Sequence, residues 1–401
     1  MNALRTIIAV AVVLFGLVHG TARADDAADQ AYVKAFEEKF PRVASPPALA
    51  EYATPQRYDD LYLGGKLDGA LKGLNNQRGA MAWGLSYRMV SLNEMARATG
   101  DAKYLAANLR CIQAALAVRD DRTGLKLYDG RVAAAWSSDG YRKGEQALFM
   151  VHTGMIVYPM LDAVHVARTM PTVPEPLLRD LEQTIAPALE SLAIHDDAWR
   201  DGPGEGEAHY IMLGEEASSE GKPQPGNRLS GMGRALYAAY RVTKDEKYLN
   251  RSRALAQYIK RRLGVTEDGA YVWPYWLPLH PVTTTQPAPQ SAEDTSHGSL
   301  TMSFPTLLAA DSEVFTRDDI ARFGKTVEHG IARLDNGVLF CDVGGSTKLR
   351  PTHLGHPANW LQLAPYAPVV RDRIVLFYLR YKPTPGPSEL AYLIRFGAEN
   401  K

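Results

Sequence analysis

Four polar segments of the chain carry side chains that can move protons and bind oxygen-rich ligands. They span residues 205–210, 225–228, 271–276 and 293–297. Between them they supply carboxylates, imidazoles, an amide, a guanidinium, phenols and indoles, a set that suits proton transfer beside a sugar or a carboxylate. All four flank one predicted helical hairpin, so a ring of such hairpins would bring them to one rim.

Two histidines in these segments lie beside carboxylates. His297 ends the sequence Glu-Asp-Thr-Ser-His, which would place Glu293 or Asp294 one helical turn away. This spacing predicts an imidazole that a carboxylate orients as a proton carrier, or alternatively a helix cap with His297 packed beneath it. His209 with Glu207 is either a second such pair or an exposed loop pair. Both histidines are therefore candidate catalytic residues.

An amide and two guanidinium groups are candidates for binding an anion. Asn227 and Arg228 stand at a predicted helix start. There the amide would donate to a substrate carboxylate, and the guanidinium would bind it in two-pronged fashion. The plainer interpretation is a helix cap and a surface arginine. Arg142 is a further cation that would favour a polyanion in a cleft.

Aromatic side chains in the same region suit a sugar, because a pyranose ring stacks on an indole while its hydroxyls need donors and acceptors. Trp273 and Trp276 lie in a proline-interrupted loop with Tyr271 and Tyr275, and Trp136 lies in the matching aromatic stretch of the first half. The alternative for each tryptophan is core packing.

The composition and the absent motifs narrow the function classes. Neither phosphate-binding glycine motifs nor the G-x-S-x-G motif of hydrolases occurs, and Cys111 and Cys341 form no C-x-x-C pair. No metal-ligand spacing of the H-E-x-x-H kind is present, so we expect neither a metal nor a cofactor. Lys+Arg and Asp+Glu both number 45, so no overall basic field favours nucleic acid.

The first 24 residues have the pattern of an export signal. Arg5 precedes a mostly apolar run over 6–20, and the sequence Ala-Arg-Ala ends at Ala24. No later stretch is apolar for long enough to cross a bilayer. We expect a periplasmic or secreted protein that makes no membrane contact after signal cleavage, with residues 25–401 as the catalytic domain.

An internal repeat indicates the fold. The segments 99–105 and 243–249 share the pattern Thr-x-Asp-x-Lys-Tyr-Leu at an offset of 144, and His152 and His297 open similar segments 145 apart. Apolar residues on both sides of each turn recur at spacings of three and four, which predicts antiparallel helical hairpins. We expect an all-α protein, an α/α toroid built as an incomplete barrel of about six or seven hairpins in a single large domain. An open solenoid is the alternative, but it would need more uniform repeats.

The order of these motifs resembles that of bacterial uronan lyases with an α/α toroid. The order comprises Asn227 at a helix start, the Thr-x-Asp-x-Lys-Tyr-Leu turn, Tyr-x-Trp-x-Tyr over 271–275 and Glu-Asp-Thr-Ser-His over 293–297. It is most similar to the glucuronan and alginate lyases of polysaccharide lyase family 38, and more distantly to the helical domain of glucuronyl C5-epimerases. The likeness is best over roughly 200–310.

The resemblance implies that the chain cleaves a uronic-acid polymer, glucuronan or alginate, by β-elimination. It assigns Tyr275 as base, acid or both, Asn227 as the group that neutralises the C6 carboxylate, and His297 or His209 as a companion; Tyr271 competes with Tyr275. Because a phenol has an ordinary pKa near 10, Tyr275 would need a cationic neighbour to act as a base. The side chains expected to bind the anionic polysaccharide are Arg228, Glu207, Tyr271, Trp273, Trp276, Glu293, Trp136 and Arg142.

Three other functions fit the same residues. A glycoside hydrolase would use two carboxylates from Glu207, Glu293 and Asp294 as acid and base. A uronyl C5-epimerase would exchange the C5 proton without shortening the polymer. A non-catalytic protein would hold sugars on Trp273 and Trp276 and form no product.

Overall fold

The computed structural model describes residues 27–282, 291–311 and 313–398. The predicted export signal over 1–24 and part of the polar connector over 277–296 lie outside these residues. The helices are α1 (27–39), α2 (Leu49–Tyr52), α3 (Pro55–Tyr62), α4 (Gly65–Leu71), α5 (Ser86–Thr99), α6 (Lys103–Ala117), α7 (Asp120–Thr123), α8 (Met150–Thr169), α9 (Glu175–Glu182), α10 (Ile185–Ala193), α11 (Gly226–Thr243), α12 (Glu246–Lys260), α13 (Thr295–Leu308), α14 (Arg317–Thr326), α15 (Pro368–Tyr381) and α16 (Pro387–Phe396).

Short elements complete the described chain. Two antiparallel pairs join β1 (Trp199–Asp201) to β2 (Ala208–Tyr210) and β3 (Gly264–Val265) to β4 (Tyr271–Val272). The 3₁₀ helices are Gln77–Gly79, Asp196–Ala198, Ala217–Ser219, Pro351–Leu354 and Pro357–Leu363, and the π-helical turns are Met81–Leu85 and Val327–Ile331.

Six elements form a closed inner ring. Helices α5, α8, α11 and α13 contact one another in that order, α13 contacts the 3₁₀ helix Pro357–Leu363, this helix contacts α16, and α16 returns to α5. The ring is tight where α8 meets α11, because a side chain at Gly154 would lie 2.7 Å from the backbone of Met232. The inner elements bury apolar side chains on several faces, as expected of helices packed both inside a ring and against an outer layer.

An outer layer covers the ring. Helix α6 packs on α5 and α8, α10 on α8 and α11, α12 on α11 and α13, α14 on α13 and the 3₁₀ helix, and α15 on the 3₁₀ helix; α3 from the start of the chain packs on α16. Inner and outer elements therefore alternate, and the predicted α/α toroid is confirmed. In the part of the chain that the structure describes, the ring holds six inner elements and closes on itself.

The repeated turns join an inner helix to an outer one, as the sequence predicts. In the first, Gly100 adopts the left-handed conformation (φ 68°), and in the second Lys244 does so (φ 60°). Each turn then places an aspartate at the next helix start, where Asp101 accepts from the Lys103 amide and Asp245 from the Lys247 amide, both at 2.9 Å. The carboxylate satisfies an amide that has no partner within the helix.

Apolar spacing in the sequence predicts helices over 142–169 and 175–194 and leaves the segment 373–378 undecided between a strand and a helix. The helix expected over 142–169 begins at Met150, after a loop through Gly144. The one expected over 175–194 is broken between α9 and α10, and the segment 373–378, which the sequence left undecided between strand and helix, lies within α15.

Candidate active site

The N-terminal ends of the inner elements meet at one mouth of the toroid. One cavity is lined by Trp83 from the π-helical turn before α5, Tyr87 from the first turn of α5, His297 from the first turn of α13 and His356, which precedes the 3₁₀ helix Pro357–Leu363. His152 in the first turn of α8 contacts Trp83, with ring centroids 5.6 Å apart. This mouth is therefore the candidate active site.

Backbone hydrogen bonds between three loop segments position the central residues of the site. The Glu293 amide donates to the Trp273 carbonyl at 2.9 Å, and the Val343 amide donates to the Glu293 carbonyl at 2.9 Å. Asp294 then caps α13, because its Oδ1 accepts from the His297 amide at 3.0 Å. The loop that carries Tyr275 is therefore held beside the first turn of α13.

Tyr275 and His297 form the centre of the candidate site. Their rings lie 5.2 Å apart at an interplanar angle of 72°. His297 Nδ1 lies 2.5 Å from Asp294 Oδ2, and the ring makes no other hydrogen bond to the described residues, which leaves Nε2 available. Both interpretations of the sequence hold together here: Asp294 caps the helix and orients the imidazole, and the His297 side chain remains 45% exposed.

The surroundings raise the pKa of the His297 imidazole and keep the Tyr275 phenol neutral. Although burial opposes it, the hydrogen bond and charge of Asp294 raise the pKa of His297 above its usual value. Burial raises the pKa of Tyr275, and the nearby Arg228 guanidinium only partly offsets this. The expected cationic neighbour is thus present, but it does not make the resting tyrosine a phenolate.

Asn227 and Arg228 lie at the start of α11, and the Arg228 guanidinium is near enough to lower the pKa values of both Tyr275 and His297. Arg228 is bound by Glu216 at 2.9 Å, while its Nη1 lies 3.5 Å from Glu215 and makes no hydrogen bond to the described residues. Asn227 is 2% exposed, and its Oδ1 likewise has no partner in the described part of the chain. Two neighbouring side chains therefore retain unused polar atoms at the mouth, which is unusual for buried groups.

Two buried carboxyl groups near this cluster hold protons readily. Burial raises the pKa of Glu293 to about 8, although Thr301 and Trp273 donate to its Oε2. Burial likewise raises the pKa of Glu215 to about 7. Glu293 is fully buried, so it does not face the mouth. It influences Tyr275 and His297 through its charge and through the residues that it holds in place.

The cavity beside His297 has a volume of about 310 Å³. Its walls are Trp83, Tyr87, Tyr141, Ser296, His297, Leu300 and His356. Trp83 Nε1 donates to the Tyr141 hydroxyl at 3.1 Å, and His356 stacks on Tyr87 with centroids 4.3 Å apart. Among the described lining residues there is no carboxylate.

Most of these wall residues were missed by the sequence interpretation. Trp83 and Tyr87 lie within a helical periodicity that predicts core packing, and no motif in the sequence marks Tyr141. The available signal for His356 is the Gly-His-Pro sequence over 355–357, which is typical of a helix start.

The structure does not bring Glu207 and His209 to this cluster. Glu207 binds Arg261 at 2.9 Å and Arg262 at 3.1 Å, with both Glu207 and Arg262 side chains fully buried. His209 stacks on Tyr258, with centroids 4.7 Å apart. In the described chain no hydrogen bond, ion pair or ring contact joins either residue to Tyr275 or His297. Glu207 therefore has a structural role, because its carboxylate balances the charges of the two arginines at the end of α12.

Three of the predicted aromatic residues are structural as well. The Tyr271 hydroxyl donates to Asp319 at 2.6 Å in the core, which favours Tyr275 in the competition between the two tyrosines. Trp273 is fully buried and donates to Glu293. Trp136 is buried and donates to the Ala115 carbonyl at 2.8 Å.

Trp276 and Arg142 lie closer to solvent. Trp276 is 45% exposed and stands edge-on to Tyr275 with centroids 5.7 Å apart, so it extends the site outward. Arg142 instead binds Glu145 at 2.9 Å and lies 3.6 Å over the Tyr128 ring, and no described ion pair or hydrogen bond links it to Tyr275.

Within the described residues, no group of three or more His, Cys, Asp or Glu side chains could hold a metal ion. None of the described helices combines the length and apolar character that crossing a bilayer requires.

No protein-family model matches the chain, and no curated protein sequence matches it. Among solved structures, a D-mannose isomerase aligns with a TM-score of 0.45 at 14% identity, over 73% of this chain and 72% of its own. An inactive alpha-1,6-mannanase variant of Salegentibacter sp. HEL1_6, in complex with alpha-1,6-mannotriose, aligns with a TM-score of 0.44 at 12% identity, over 79% and 87%. A family 76 glycoside hydrolase from a bovine Bacteroides thetaiotaomicron strain aligns with a TM-score of 0.45 at 14% identity, over 79% and 67%. At these scores the similarities carry no conclusion about activity.

Proposed function

We propose that the protein is a polysaccharide lyase that cleaves a uronic-acid polymer by β-elimination. The observation that carries this proposal is the Tyr275–His297 pair, with its Asp294 and Arg228 partners, beside a cavity whose described walls hold aromatic rings and no carboxylate. Elimination requires a base for the C5 proton, an acid for the departing O4 and a group that neutralises the C6 carboxylate. Each requirement has a candidate here.

His297 is the proposed base. Asp294 holds Nδ1, so Nε2 takes the proton from C5 while the carboxylate stabilises the resulting imidazolium. The electron pair of the broken C5–H bond forms the C4–C5 double bond, and the C4–O4 bond breaks.

Tyr275 is the proposed acid. Its phenol is neutral at rest because burial raises its pKa, so it has a proton to give to O4. The phenolate then formed lies beside the imidazolium of His297, and return of the proton from the imidazolium restores both groups. The resemblance allows Tyr275 to act as base, acid or both, and this division of roles keeps the acid, because burial raises the pKa of the phenol.

Arg228 and Asn227 are proposed to bind the C6 carboxylate. Arg228 Nη1 retains donor capacity after its ion pair with Glu216, and a charge-assisted hydrogen bond to a carboxylate would use it. Asn227 offers an unpaired amide oxygen, and rotation of the amide would present its NH₂ group instead. Neutralising this carboxylate makes the C5 proton more acidic.

The hydrolase alternative receives less support from the geometry. It needs two carboxyl groups facing the sugar. Glu207 is bound by two arginines, Glu293 is fully buried, and Asp294 is bound to His297. A C5-epimerase or a binding protein would use the same cavity. Only the product of the reaction, or its absence, distinguishes these two alternatives from a lyase.

The test is a panel of alginate, glucuronan, pectate and glycosaminoglycans, with a neutral mannan as control. We expect new unsaturated ends that absorb in the near ultraviolet from at least one uronan and none from the mannan. New reducing ends without absorbance would establish hydrolysis, solvent exchange at C5 without shortening would establish epimerisation, and binding without product would leave a carbohydrate-binding protein. The export signal expected over 1–24 extends the proposal to a periplasmic or secreted enzyme, which fractionation of expressing cells checks.

A further inference from the structure

A second cavity adjoins the one beside His297. Its volume is about 500 Å³, which falls within the range of pockets that hold sizeable ligands. Trp83, Tyr87 and His356 line both cavities, so they form a shared wall. The second cavity continues from this wall toward the end of α4 and the start of α16, at Lys72 and Pro387.

The charges around the second cavity have one sign. Lys72 and Arg88 line it, and no carboxylate occurs among its described lining residues. Lys72 is exposed and makes no side-chain hydrogen bond or ion pair with the described chain. Arg88 donates to the Tyr62 carbonyl at 3.0 Å, and no described carboxylate pairs with it. In a chain with equal numbers of acidic and basic residues, a cavity of this size lined by two cations and no anion is a local electropositive site.

We propose that this second cavity is a subsite for further uronate units of the polymer held beside His297. The inference rests on the proposed function and adds the path of the substrate: the chain runs from His297 past Trp83 to Lys72. Trp83 lines both cavities where they adjoin, and an indole at such a junction suits the stacking of a sugar ring. Lys72 and Arg88 meet the carboxylates of the units beyond it.

The path predicts a dependence on substrate length. A short oligouronate that fills only the inner cavity gains nothing from Lys72, whereas a longer one reaches it. Because Lys72 is exposed, one such ion pair contributes modestly and weakens with salt.

The experiment compares Lys72→Ala with Lys66→Ala, measured by release of unsaturated ends from a uronan and from its shortest cleavable oligomer. Lys66 is also an exposed lysine and lies on α4, but it does not line the cavity. We expect Lys72→Ala to raise the KM for polymer about two- to five-fold, the effect of one exposed ion pair, with kcat unchanged. We expect Lys72→Glu to raise it further, and added salt to shrink the difference.

The outcomes separate the two proposals. Equal KM values for the Lys72→Ala, Lys66→Ala and unaltered proteins on polymer overturn the subsite while the lyase proposal stands. An equal rise on the shortest oligomer and the polymer also overturns it, because Lys72 would then act at the inner cavity. If the unaltered protein forms no unsaturated ends from any uronan, both proposals fail.

Discussion

His297 lies between two groups that define its chemistry: Asp294 holds its Nδ1 at 2.5 Å, and the ring of Tyr275 stands edge-on 5.2 Å away. The first contact fixes the tautomer with the proton on Nδ1 and leaves Nε2 as the acceptor. The second places the ring of Tyr275, whose phenol is neutral, beside the imidazole. A base and an acid in contact can return a proton to their starting state after each turnover.

Tyr275→Phe is expected to reduce the formation of unsaturated ends by about 10²–10⁴-fold, because it removes the proton donor for O4. Binding of the polymer should persist, since the ring remains. The matched control is Tyr271→Phe, which loses a hydrogen bond to Asp319 and should cost about 1 kcal/mol of unfolding free energy with turnover retained. Full activity of Tyr275→Phe would remove this tyrosine from the reaction.

Asp294→Asn is expected to change the pH profile. The pKa of His297 is raised by Asp294, so a base at His297 loses its proton, and activity rises, above pH 6.5. Replacing the carboxylate lowers that pKa and moves the rising limb to lower pH. Asparagine still caps a helix, so α13 should begin as before. The measurement is kcat/KM against pH for both proteins, and a limb that stays in place or moves to higher pH would contradict the role of His297 as base.

Much of the architecture follows from local patterns. The repeated Thr-x-Asp turn predicts an inner helix joined to an outer one because the left-handed residue and the capping aspartate are local features. Asp294 and His297 are three residues apart, so their contact also follows from sequence spacing. The meeting of His297 with Tyr275 depends on the backbone hydrogen bond between Glu293 and Trp273, which sequence spacing does not reveal.

The remaining part of the site depends on long-range packing. Inner helices are apolar on most faces, so periodicity cannot distinguish a side chain that faces the mouth, such as Trp83, from one in the core, such as Trp273. In the same way, nothing in the Glu-Gly-Glu sequence around Glu207 shows that Arg262, more than fifty residues later, will bind it. From the sequence alone, the Glu207 carboxylate therefore resembles a catalytic group.

Glu207→Gln is expected to destabilise the protein by about 3–5 kcal/mol, because it leaves the buried Arg262 without its counter-charge. Activity per folded molecule should change little. Glu205→Gln, in the same loop but exposed, is the control and should leave the unfolding free energy nearly unaltered. Denaturant unfolding and turnover should be measured on all three proteins; a stable Glu207→Gln protein without activity would return Glu207 to the site.

Trp276→Ala is expected to raise the KM for a uronan several-fold with little change in stability, because the ring is 45% exposed and stands beside Tyr275. The loss of one stacking partner weakens binding on the order of 1 kcal/mol. Trp136→Ala is the contrasting variant: its ring is buried, so we expect a loss of about 3–5 kcal/mol of unfolding free energy. An unchanged KM for Trp276→Ala would place the sugar elsewhere.

Glu293→Gln is expected to remove a pH dependence of stability. Burial raises the pKa of Glu293 to about 8 from its ordinary value of 4.5. Between these values the folded protein keeps a proton that the unfolded chain releases, so the unfolding free energy falls as pH rises from about 4.5 to 8. Above pH 8 the folded protein bears the full cost of a buried, ionised Glu293, which is on the order of a few kcal/mol.

Glutamine is neutral at every pH, and its carbonyl oxygen can accept from Trp273 and Thr301 as Glu293 Oε2 does. The difference in unfolding free energy between Glu293→Gln and the unaltered protein should therefore grow in favour of the variant from pH 5 to pH 8.5. Glu215, whose pKa burial raises to about 7, contributes a slope of the same sign to both proteins and cancels in the comparison. If the difference in unfolding free energy is instead constant across this range, Glu293 ionises in the folded protein as it does in the unfolded chain. That result would contradict a neutral Glu293 carboxyl group beside Tyr275.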